Sequence, residues 1–429
     1  MDVHTLKIPT ATSGHATAEG TKTFADITWQ NAPKTSPDSW RILDGKTVSK
    51  SCFGTLGFHK NKHQESTLKT AFKHGCNLID CSLSFSNGED LLALGKALKA
   101  ALEEGHIERD QCIILSKIQA CELSAFQNQY QIHLQTMGIK QTDYVLIQEP
   151  EMLSLQGLAS DEIQSLIFSL FEWLETLTIK GEIQGYGLSS QTFGAPSSMP
   201  THTCLATYAE LAREAAQKAW GRKKRSAFKM VSAPFNLIET ELLTEKSTWE
   251  FNKRGDKQTC STLDLASRMG LSVITQRPLN ALHPHFGSVR LIEYNAKPCN
   301  EQTETSPYIS HIQGLAHYGQ IKNLLESQIS TEECSQIENA LMAANNNKIK
   351  PLRAHLNTLV SSLPFHQACI SALSSTPGIT SVAHSFTQST YTKDIADLME
   401  SADIHYIHKI FAPTKEADQQ KKHPVDKSQ

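Results

Sequence analysis

Residues 76–99 are the stretch whose residue types and spacing point most directly to chemistry. An apolar run ends in a carboxylate, Asp80, and a short polar loop then leads into a leucine-rich helix. A carboxylate is costly to bury, and the carboxyl end of a buried strand is where parallel-sheet and barrel proteins bind ligands. A surface Asp that caps the next helix would give the same pattern. These residues alone therefore leave a ligand site and a helix cap open as alternatives.

The composition of the chain is that of an ordinary globular protein. Its 429 residues contain 41 Lys and Arg against 44 Asp and Glu, so no global charge favours a nucleic acid or a membrane as partner. Ten cysteines occur without a C-x-x-C pair or a zinc-type array. There is neither an apolar window of about 18 residues nor a signal-peptide pattern. We therefore expect a cytoplasmic protein with reduced thiols and no metal.

Hydrophobic periodicity divides most of the chain into alternating strands and helices. A hairpin is predicted around the turn at residues 44–46. The predicted strands are residues 48–56, 77–80, 112–117, 144–148, 183–189, 228–234, 271–276 and 379–385. The predicted helices are residues 64–74, 89–99, 123–137, 161–180, 208–220, 262–269, 365–373 and 391–400.

About eight strands that nearly all precede helices predict a parallel sheet, and eight units favour a closed (β/α)8 TIM barrel over an open sheet. No G-x-G-x-x-G motif opens a helix after the first strand, which disfavours the open sheet further. We predict a disordered tail at 1–38, a barrel at 39–412 and a charged tail at 413–429. A long insertion at residues 280–360 precedes strand eight.

Several motifs resemble the aldo-keto reductase family, in the family's order along the chain. Residues 75–80 (GCNLID), 86–89 (SNGE) and 94–98 (LGKAL) are similar to its signature, G-x-N-x-x-D followed by Y-G-x-G-E and L-G-x-A-L-K. Further similar segments are 114–117 (ILSK), 143–147 (DYVLI), 187–189 (GLS), 234–237 (PFNL), 276–280 (QRPLN) and 375–382 (STPGITSV). The resemblance covers about residues 41 to 402. It implies a barrel that reduces carbonyl compounds with NAD(P)H or catalyses the reverse oxidation.

The same resemblance implies four catalytic positions, of which two hold altered residues. The family's aspartate and lysine are present as Asp80 and Lys117. Its proton-donating tyrosine is replaced by Phe85, which has no ionisable proton, and its histidine by Gln148, which cannot titrate near neutral pH. Asp80 and Lys117 could then remain as a structural ion pair. Cys81, Ser84 or a water molecule would be the alternative proton donors.

The implied nicotinamide-binding positions are also mixed. Ser189 matches the family's serine, whereas Ser190 replaces the asparagine that holds the nicotinamide amide. Ser232 replaces a glutamine, and Gln276 replaces the aromatic residue that stacks under the nicotinamide. NAD(P)H binding is therefore possible at a degraded site.

The implied cofactor-binding positions also include Arg277, in the loop after predicted strand seven, which resembles a subfamily version of that loop. Ser385 and Gln388, at and after the end of predicted strand eight, belong to the segment implied near the adenosine phosphate. Because no basic residue follows strand eight before Lys393, a preference for the 2′-phosphate is poorly supported.

Other residue clusters have simpler explanations. The basic residues 222–225 suggest a surface turn rather than a nucleic-acid site. The histidine pairs at 59 and 63 and at 283 and 285 lack a third metal ligand nearby. Glu149 and Glu151 are further candidate acids near the pocket.

Two functional hypotheses follow. The first is a divergent NAD(P)H-dependent oxidoreductase of aldehydes, ketones or sugars, with standard carbonyl reduction impaired at Phe85 and Gln148. The second is a pseudoenzyme, a non-catalytic barrel that binds or regulates a protein partner.

Overall fold

The computed structural model describes residues 12–221, 225–252, 254–283, 287–295, 331–360, 363–405 and 407–411. The chain divides into two compact units. The first comprises Met1–Phe235, Thr240–Arg277 and Pro377–Ala402, and the second Asn236–Glu239, Pro278–Thr376 and Asp403–Gln429. The predicted insertion before strand eight lies within the second unit. Residues 222–224 of the predicted basic cluster lie outside the described residues, as does His285.

The strands run as follows in chain order: β1 (Trp40–Leu43), β2 (Lys46–Ser49), β3 (Ser51–Gly54), β4 (Leu78–Ser82), β5 (Ile113–Gln119), β6 (Tyr144–Gln148), β7 (Gly185–Ser189), β8 (Phe228–Pro234), β9 (Thr248–Phe251), β10 (Lys257–Cys260), β11 (Ser272–Gln276), β12 (Asn280–His283), β13 (Gly287–Arg290) and β14 (Ser381–Ser385). The α-helices are α1 (Ala18–Asn31), α2 (Gln64–Lys73), α3 (Glu89–Glu103), α4 (Leu123–Met137), α5 (Glu151–Leu155), α6 (Ser160–Ile179), α7 (Leu205–Trp220), α8 (Glu241–Thr244), α9 (Thr262–Met269), α10 (Thr331–Leu359), α11 (Phe365–Ser374), α12 (Thr392–Glu400) and α13 (Ile407–Ile410).

Eight of these strands close into a barrel in the order β11-β14-β3-β4-β5-β6-β7-β8, and all their pairings are parallel. The predicted (β/α)8 barrel is therefore confirmed. The first predicted strand, residues 48–56, differs from the structure. Its residues divide between β2 of the antiparallel hairpin β1–β2 and the barrel strand β3. Two further hairpins, β9–β10 and β12–β13, were not predicted. No helix among the described residues has the length and hydropathy to cross a bilayer.

The interior of the barrel holds an apolar core that continues to its amino-terminal end. The core cluster combines barrel residues such as Leu115, Leu146 and Met230 with Leu43 of β1 and Val48 of β2. Because the hairpin residues share one cluster with the strand interiors, the hairpin closes the amino-terminal end of the barrel.

The predicted disordered tail is ordered over its described part. Helix α1 is capped by Thr17, whose side chain accepts a hydrogen bond from the backbone N–H of Gly20. Ala16 is 1% exposed and belongs to the barrel core cluster. The tail was predicted from its small and polar residues, but small residues also allow close packing. An alanine buried at this point needs a tertiary partner that local composition does not reveal.

Asp143 joins this amino-terminal segment to the barrel. Its carboxylate is fully buried and accepts hydrogen bonds from the backbone N–H of Ala16 at 2.6 Å and of Ile114 at 2.8 Å. It also pairs with the Arg109 guanidinium at 2.9 Å. Burial alone would raise the pKa of Asp143, but Arg109, His15 and these backbone donors outweigh burial and hold it below its usual value.

Gly95 shows why the L-G-x-A-L segment of α3 contains a glycine. A Cβ atom at this position would lie 2.4 Å from the backbone oxygen of Met137, at the end of α4. Real Cβ atoms do not approach an oxygen so closely, so only glycine lets α3 and the end of α4 pack at this distance.

The second unit has its own apolar core and a polar edge contact. Ala281, Leu356, Phe365 and Cys369 are among its buried core residues. On α10, the Asn345 side chain accepts from the backbone N–H of Arg290 and donates to its carbonyl oxygen, both at 2.9 Å. An asparagine amide thus supplies the edge of β13 with the two hydrogen bonds that a neighbouring strand would make.

Replacement of Asp143 tests the anchoring of the amino-terminal segment. Asp143→Asn leaves the buried Arg109 without its counter-charge, so we expect unfolding free energy to fall by about 3–5 kcal/mol, measured by urea denaturation at pH 7. The folded-state pKa of Asp143 lies below its unfolded value, so its stabilisation is present above a pH of about 4 and is lost as the pH falls. The difference between wild type and variant should therefore shrink in acid. Asp26→Asn, at an exposed position of α1, is the control and should leave the urea midpoint unchanged. Equal midpoints for wild type and Asp143→Asn would contradict this role.

Candidate active site at the carboxyl end of the barrel

The alternation of side chains along the barrel strands gathers most of the predicted site residues on one side of the sheet. Five of them lie two positions after a core residue on the same strand, and therefore point to the same side as that residue. They are Asp80, Lys117, Gln148, Ser232 and Gln276.

The strand register then aligns three polar residues across neighbouring strands. Gln148 of β6 is paired with Ser189 of β7, and Ser189 with Ser232 of β8. The barrel therefore carries a polar layer at its carboxyl end, directly beyond the apolar core. In barrels of this type that end is where ligands bind.

Asp80 and Lys117 form a buried ion pair in this layer. The Lys117 Nζ atom lies 2.6 Å from Asp80 Oδ2, and the two side chains are 2% and 6% exposed. Asp80 does not cap the following helix, because the N-cap of α3 is Gly88 and no side chain caps it. The helix-cap alternative is therefore wrong. Asp80 Oδ1 is buried and has no hydrogen-bond partner among the described residues.

Gln148 is held by two serines of the loop that follows β4. Its Oε1 atom accepts a hydrogen bond from Ser82 Oγ at 2.7 Å and lies 3.3 Å from Ser84 Oγ, a second possible donor. Because these contacts occupy the amide oxygen, the NH2 group of Gln148 is the part that can donate a hydrogen bond to a ligand. An amide donates a hydrogen bond to a carbonyl oxygen without changing its own charge.

Phe85 begins the 3-10 turn Phe85–Gly88 after β4 and is half-buried. Cys81, the nearby thiol that sequence reasoning proposed as a replacement proton donor, is fully buried. Burial, with a smaller contribution from Asp80, raises the pKa of the Cys81 thiol far above its usual value. A thiol that binds its proton so tightly is a poor acid at neutral pH, so Cys81 does not fit that role. Ser84 is exposed in the same loop.

Gln276 forms a hydrogen-bonded cluster with two of the predicted nucleotide-binding serines. Its Nε2 atom donates to Ser189 Oγ and to Ser232 Oγ, both at 2.9 Å. Its Oε1 atom accepts from Gln191 Nε2 at 3.3 Å. Ser190 points elsewhere and donates to Thr203 Oγ1 at 2.8 Å. The structure thus brings Ser189, Ser232 and Gln276 together and leaves Ser190 in a separate network.

The remaining predicted cofactor-binding residues are less closely organised. Arg277 is half-buried directly after β11, whereas Ser385 is the exposed last residue of β14 and Gln388 is exposed in the loop that follows. The first basic residue after β14 is Lys393, which is exposed in the first turn of α12.

Backbone strain concentrates at this end of the barrel. Of the five non-glycine residues with positive φ in the described part of the chain, four follow the carboxyl ends of barrel strands. They are Ser86, Asn87, Glu149 and Arg277. Left-handed backbone is unfavourable for such residues and is found preferentially at functional sites.

Several residues that shape this region were missed or only weighed as alternatives. Glu151, a candidate acid in the sequence, is buried at the start of α5, where its Oε1 atom accepts from the backbone N–H of Gln191 at 2.6 Å. Gln191, His202 and Cys204 belong to no motif, so the sequence carried no signal for them. Within the described residues, no group of three His, Cys, Asp or Glu side chains is arranged to hold a metal ion.

Comparison with known proteins finds a family model that matches part of the chain. Residues 51–220, from β3 to the end of α7, match the model of the aldo/keto reductase family. No curated protein matches the chain significantly.

The fold also matches solved structures. The chain superposes on the glycerol dehydrogenase from Gluconobacter oxydans with a TM-score of 0.54 and 11% sequence identity, over 92% of this chain and 99% of that one. It superposes on the holo form of an aldo-keto reductase from Bacillus halodurans with a TM-score of 0.52 and 14% identity, over 88% and 99% of the two chains. At such identities the superpositions establish the fold alone. Together with the match over residues 51–220, they confirm that this chain is similar to the aldo/keto reductase family in sequence motifs and in fold.

Proposed function

We propose that this protein is an NAD(P)H-binding barrel of the aldo/keto reductase type in which standard carbonyl reduction is impaired. The observation that carries the proposal is the buried Asp80–Lys117 pair, which persists while Phe85 and Gln148 occupy the implied tyrosine and histidine positions. The proposed substrates of its NAD(P)H-dependent oxidoreduction are small aldehydes, ketones or sugars.

In the family, the aspartate–lysine pair does not itself donate the proton to the carbonyl oxygen. It assists the tyrosine that does. A lysine ammonium beside a tyrosine favours the tyrosinate and so lowers the tyrosine pKa. Phe85 has nothing to titrate, and proton transfer usually contributes about 10²- to 10⁴-fold to a rate. Gln148 can still orient a carbonyl oxygen through its amide NH2 group. The site is therefore suited to binding and orientation more than to proton transfer.

The nicotinamide position holds a carboxamide of the protein itself. By resemblance, Ser189, Ser190 and Ser232 occupy nicotinamide-binding positions, Ser190 at that of the asparagine that holds the nicotinamide amide. Here the Gln276 amide satisfies the hydroxyls of Ser189 and Ser232. A cofactor must displace this side chain before its own amide can make the same hydrogen bonds, which weakens binding. The absence of a cation directly after β14 supports similar affinities for NADH and NADPH.

A second candidate function is a non-catalytic binding or regulatory module. Its support is also the Gln276 cluster, because a permanently occupied nicotinamide position would leave the barrel without a cofactor. The two functions differ in one measurable property, the affinity for dinucleotide.

Nucleotide titration of the purified protein, followed by NAD(P)H fluorescence and melting temperature, tests cofactor binding. We expect weak, saturable binding of both nucleotides. Gln276→Ala removes the competing amide, and because one hydrogen bond contributes about 1 kcal/mol net, affinity should rise by about fivefold. Gln258→Ala, at an exposed position of β10, is the matched control and should change nothing. Absence of binding by wild type and Gln276→Ala at millimolar nucleotide would exclude the oxidoreductase and favour the regulatory module.

Restoration of the altered positions tests the proposed impairment. The double variant Phe85→Tyr/Gln148→His should gain at least about 10²-fold in hydride transfer from NADPH to a reactive aldehyde, because it regains a proton donor. Adding Lys117→Met should remove the gain, since the tyrosine would lose its neighbouring cation. A double variant that binds NADPH and stays folded but remains no more active than wild type would contradict the proposal.

A further inference from the structure

Asp90, the second residue of α3, joins two loops at the carboxyl end of the barrel. Its side chain is fully buried. Asp90 Oδ2 accepts hydrogen bonds from the backbone N–H of Gly57 and from Ser86 Oγ, both at 2.8 Å. Asp90 Oδ1 accepts from the backbone N–H of His59 at 2.8 Å and lies 2.7 Å from His59 Nδ1. One side chain thus connects the loop after β3 with the loop after β4.

Stabilisation of α3 alone does not account for the burial of Asp90. An acid in the first turn of a helix interacts favourably with the helix dipole, and an exposed acid does so as well. Glu89, in the same turn, is such an exposed acid. A buried carboxyl group, in contrast, requires hydrogen-bond donors to replace water. For Asp90 these donors are the residues of the two loops, all of which lie outside α3.

The turn that Asp90 holds follows Phe85 directly. Ser86 and Asn87 are consecutive residues in left-handed backbone, with φ values of 49° and 52°. This conformation is unfavourable for residues other than glycine and persists only where the surrounding structure holds it. The hydrogen bond from Ser86 Oγ to Asp90 is such a restraint, because it connects the turn to the buried start of α3.

Phe85 therefore lies between two serines whose side chains are restrained in different directions. On one side, Ser84 Oγ lies 2.9 Å from Ser82 Oγ and 3.3 Å from Gln148 Oε1. On the other side, Ser86 is bound to Asp90. These contacts restrain the backbone of residue 85 between β6 and α3.

We propose that Asp90 is a positioning residue of the candidate active site, which fixes the backbone at residue 85 by holding Ser86 and the loop after β3. The inference rests on the proposed function, in which residue 85 occupies the position of the proton donor. Asp90 itself contacts neither substrate nor cofactor in this role. Because a displacement of about 1 Å can reduce a catalysed rate by about 10²-fold, a residue that holds position 85 affects turnover more than nucleotide affinity.

Turnover of the restored enzyme tests this positioning. Phe85→Tyr/Gln148→His replaces Gln148, so the contact of Ser86 with Asp90 is the restraint that remains on the other side of residue 85. Adding Asp90→Ala should lower kcat for a reactive aldehyde by at least about tenfold. The Kd for NADPH, measured by fluorescence, should stay within about twofold, since none of the predicted cofactor-binding residues contacts Asp90. Asp161→Ala, at an exposed position in the first turn of α6, is the matched control and should change neither quantity.

Amide hydrogen exchange of the otherwise wild-type chain tests the restraint without any catalysis. The N–H groups of Gly57 and His59 donate directly to Asp90, so Asp90→Ala should raise their exchange rates by at least about tenfold. Ser86→Ala removes one contact of Asp90 and leaves these two amides bonded. It should therefore keep their protection, accelerate exchange in residues 83–88, and lower kcat in the restored background. This milder variant decides the question if Asp90→Ala fails to fold.

The outcomes separate positioning from a purely structural role and from failure of the proposed function. Unchanged kcat in the Asp90→Ala and Ser86→Ala forms of an active restored enzyme would overturn the proposal. Equal losses of kcat, NADPH affinity and protection throughout the barrel would also overturn it, because they indicate general destabilisation. An inactive Phe85→Tyr/Gln148→His variant would count against the proposed function instead. Exchange in residues 83–88 of Ser86→Ala then decides the role of Asp90, since unchanged exchange there rules it out.

Discussion

The buried ion pair between Asp80 and Lys117 is the interaction on which the carboxyl end of the barrel depends. Two opposite charges almost fully removed from water are stable only while both are present, since either one alone would be an uncompensated buried charge. The pair therefore links the side chains of β4 and β5 at this end of the barrel. Gln148 lies in the same layer on β6, with its amide oxygen bound to Ser82 next to the pair.

Part of the polar layer is satisfied by hydrogen bonds between its own side chains. Gln276 connects Ser189 and Ser232 through one amide group and is itself bound by Gln191. A ligand at this point exchanges one set of hydrogen bonds for another and so gains little net free energy. The affinity of this site for a ligand thus depends on the free-energy cost of displacing the Gln276 side chain.

The region beyond β6 and β7 contrasts with this layer. There, the buried Oε2 atom of Glu151 has no hydrogen-bond partner among the described residues. Glu151 accepts a hydrogen bond from the backbone N–H of Gln191, whose side chain donates to Gln276, so hydrogen bonds connect this region to the polar layer.

Much of the fold followed from the sequence, because period-two and period-3.6 patterns reflect which side of each element is buried. Those patterns predicted β6, β8, α4 and α9 to the residue. Local pattern could not reveal the order of α1 or the compact second unit, because Ala16 and Asn345 are fixed by partners distant in the chain.

The sequence by itself determined the barrel and the positions of Asp80, Lys117, Phe85 and Gln148, since strand alternation and motif order depend only on neighbouring residues. Tertiary structure alone decided which of these groups meet. It paired Asp80 with Lys117 and placed the Gln276 amide on Ser189 and Ser232. It also placed Asp90 between the loops that follow β3 and β4, a position that no motif marks. Hydrogen bonds and pKa values depend on distances of a few ångströms between elements far apart in the chain, and such distances exist only once the barrel has closed.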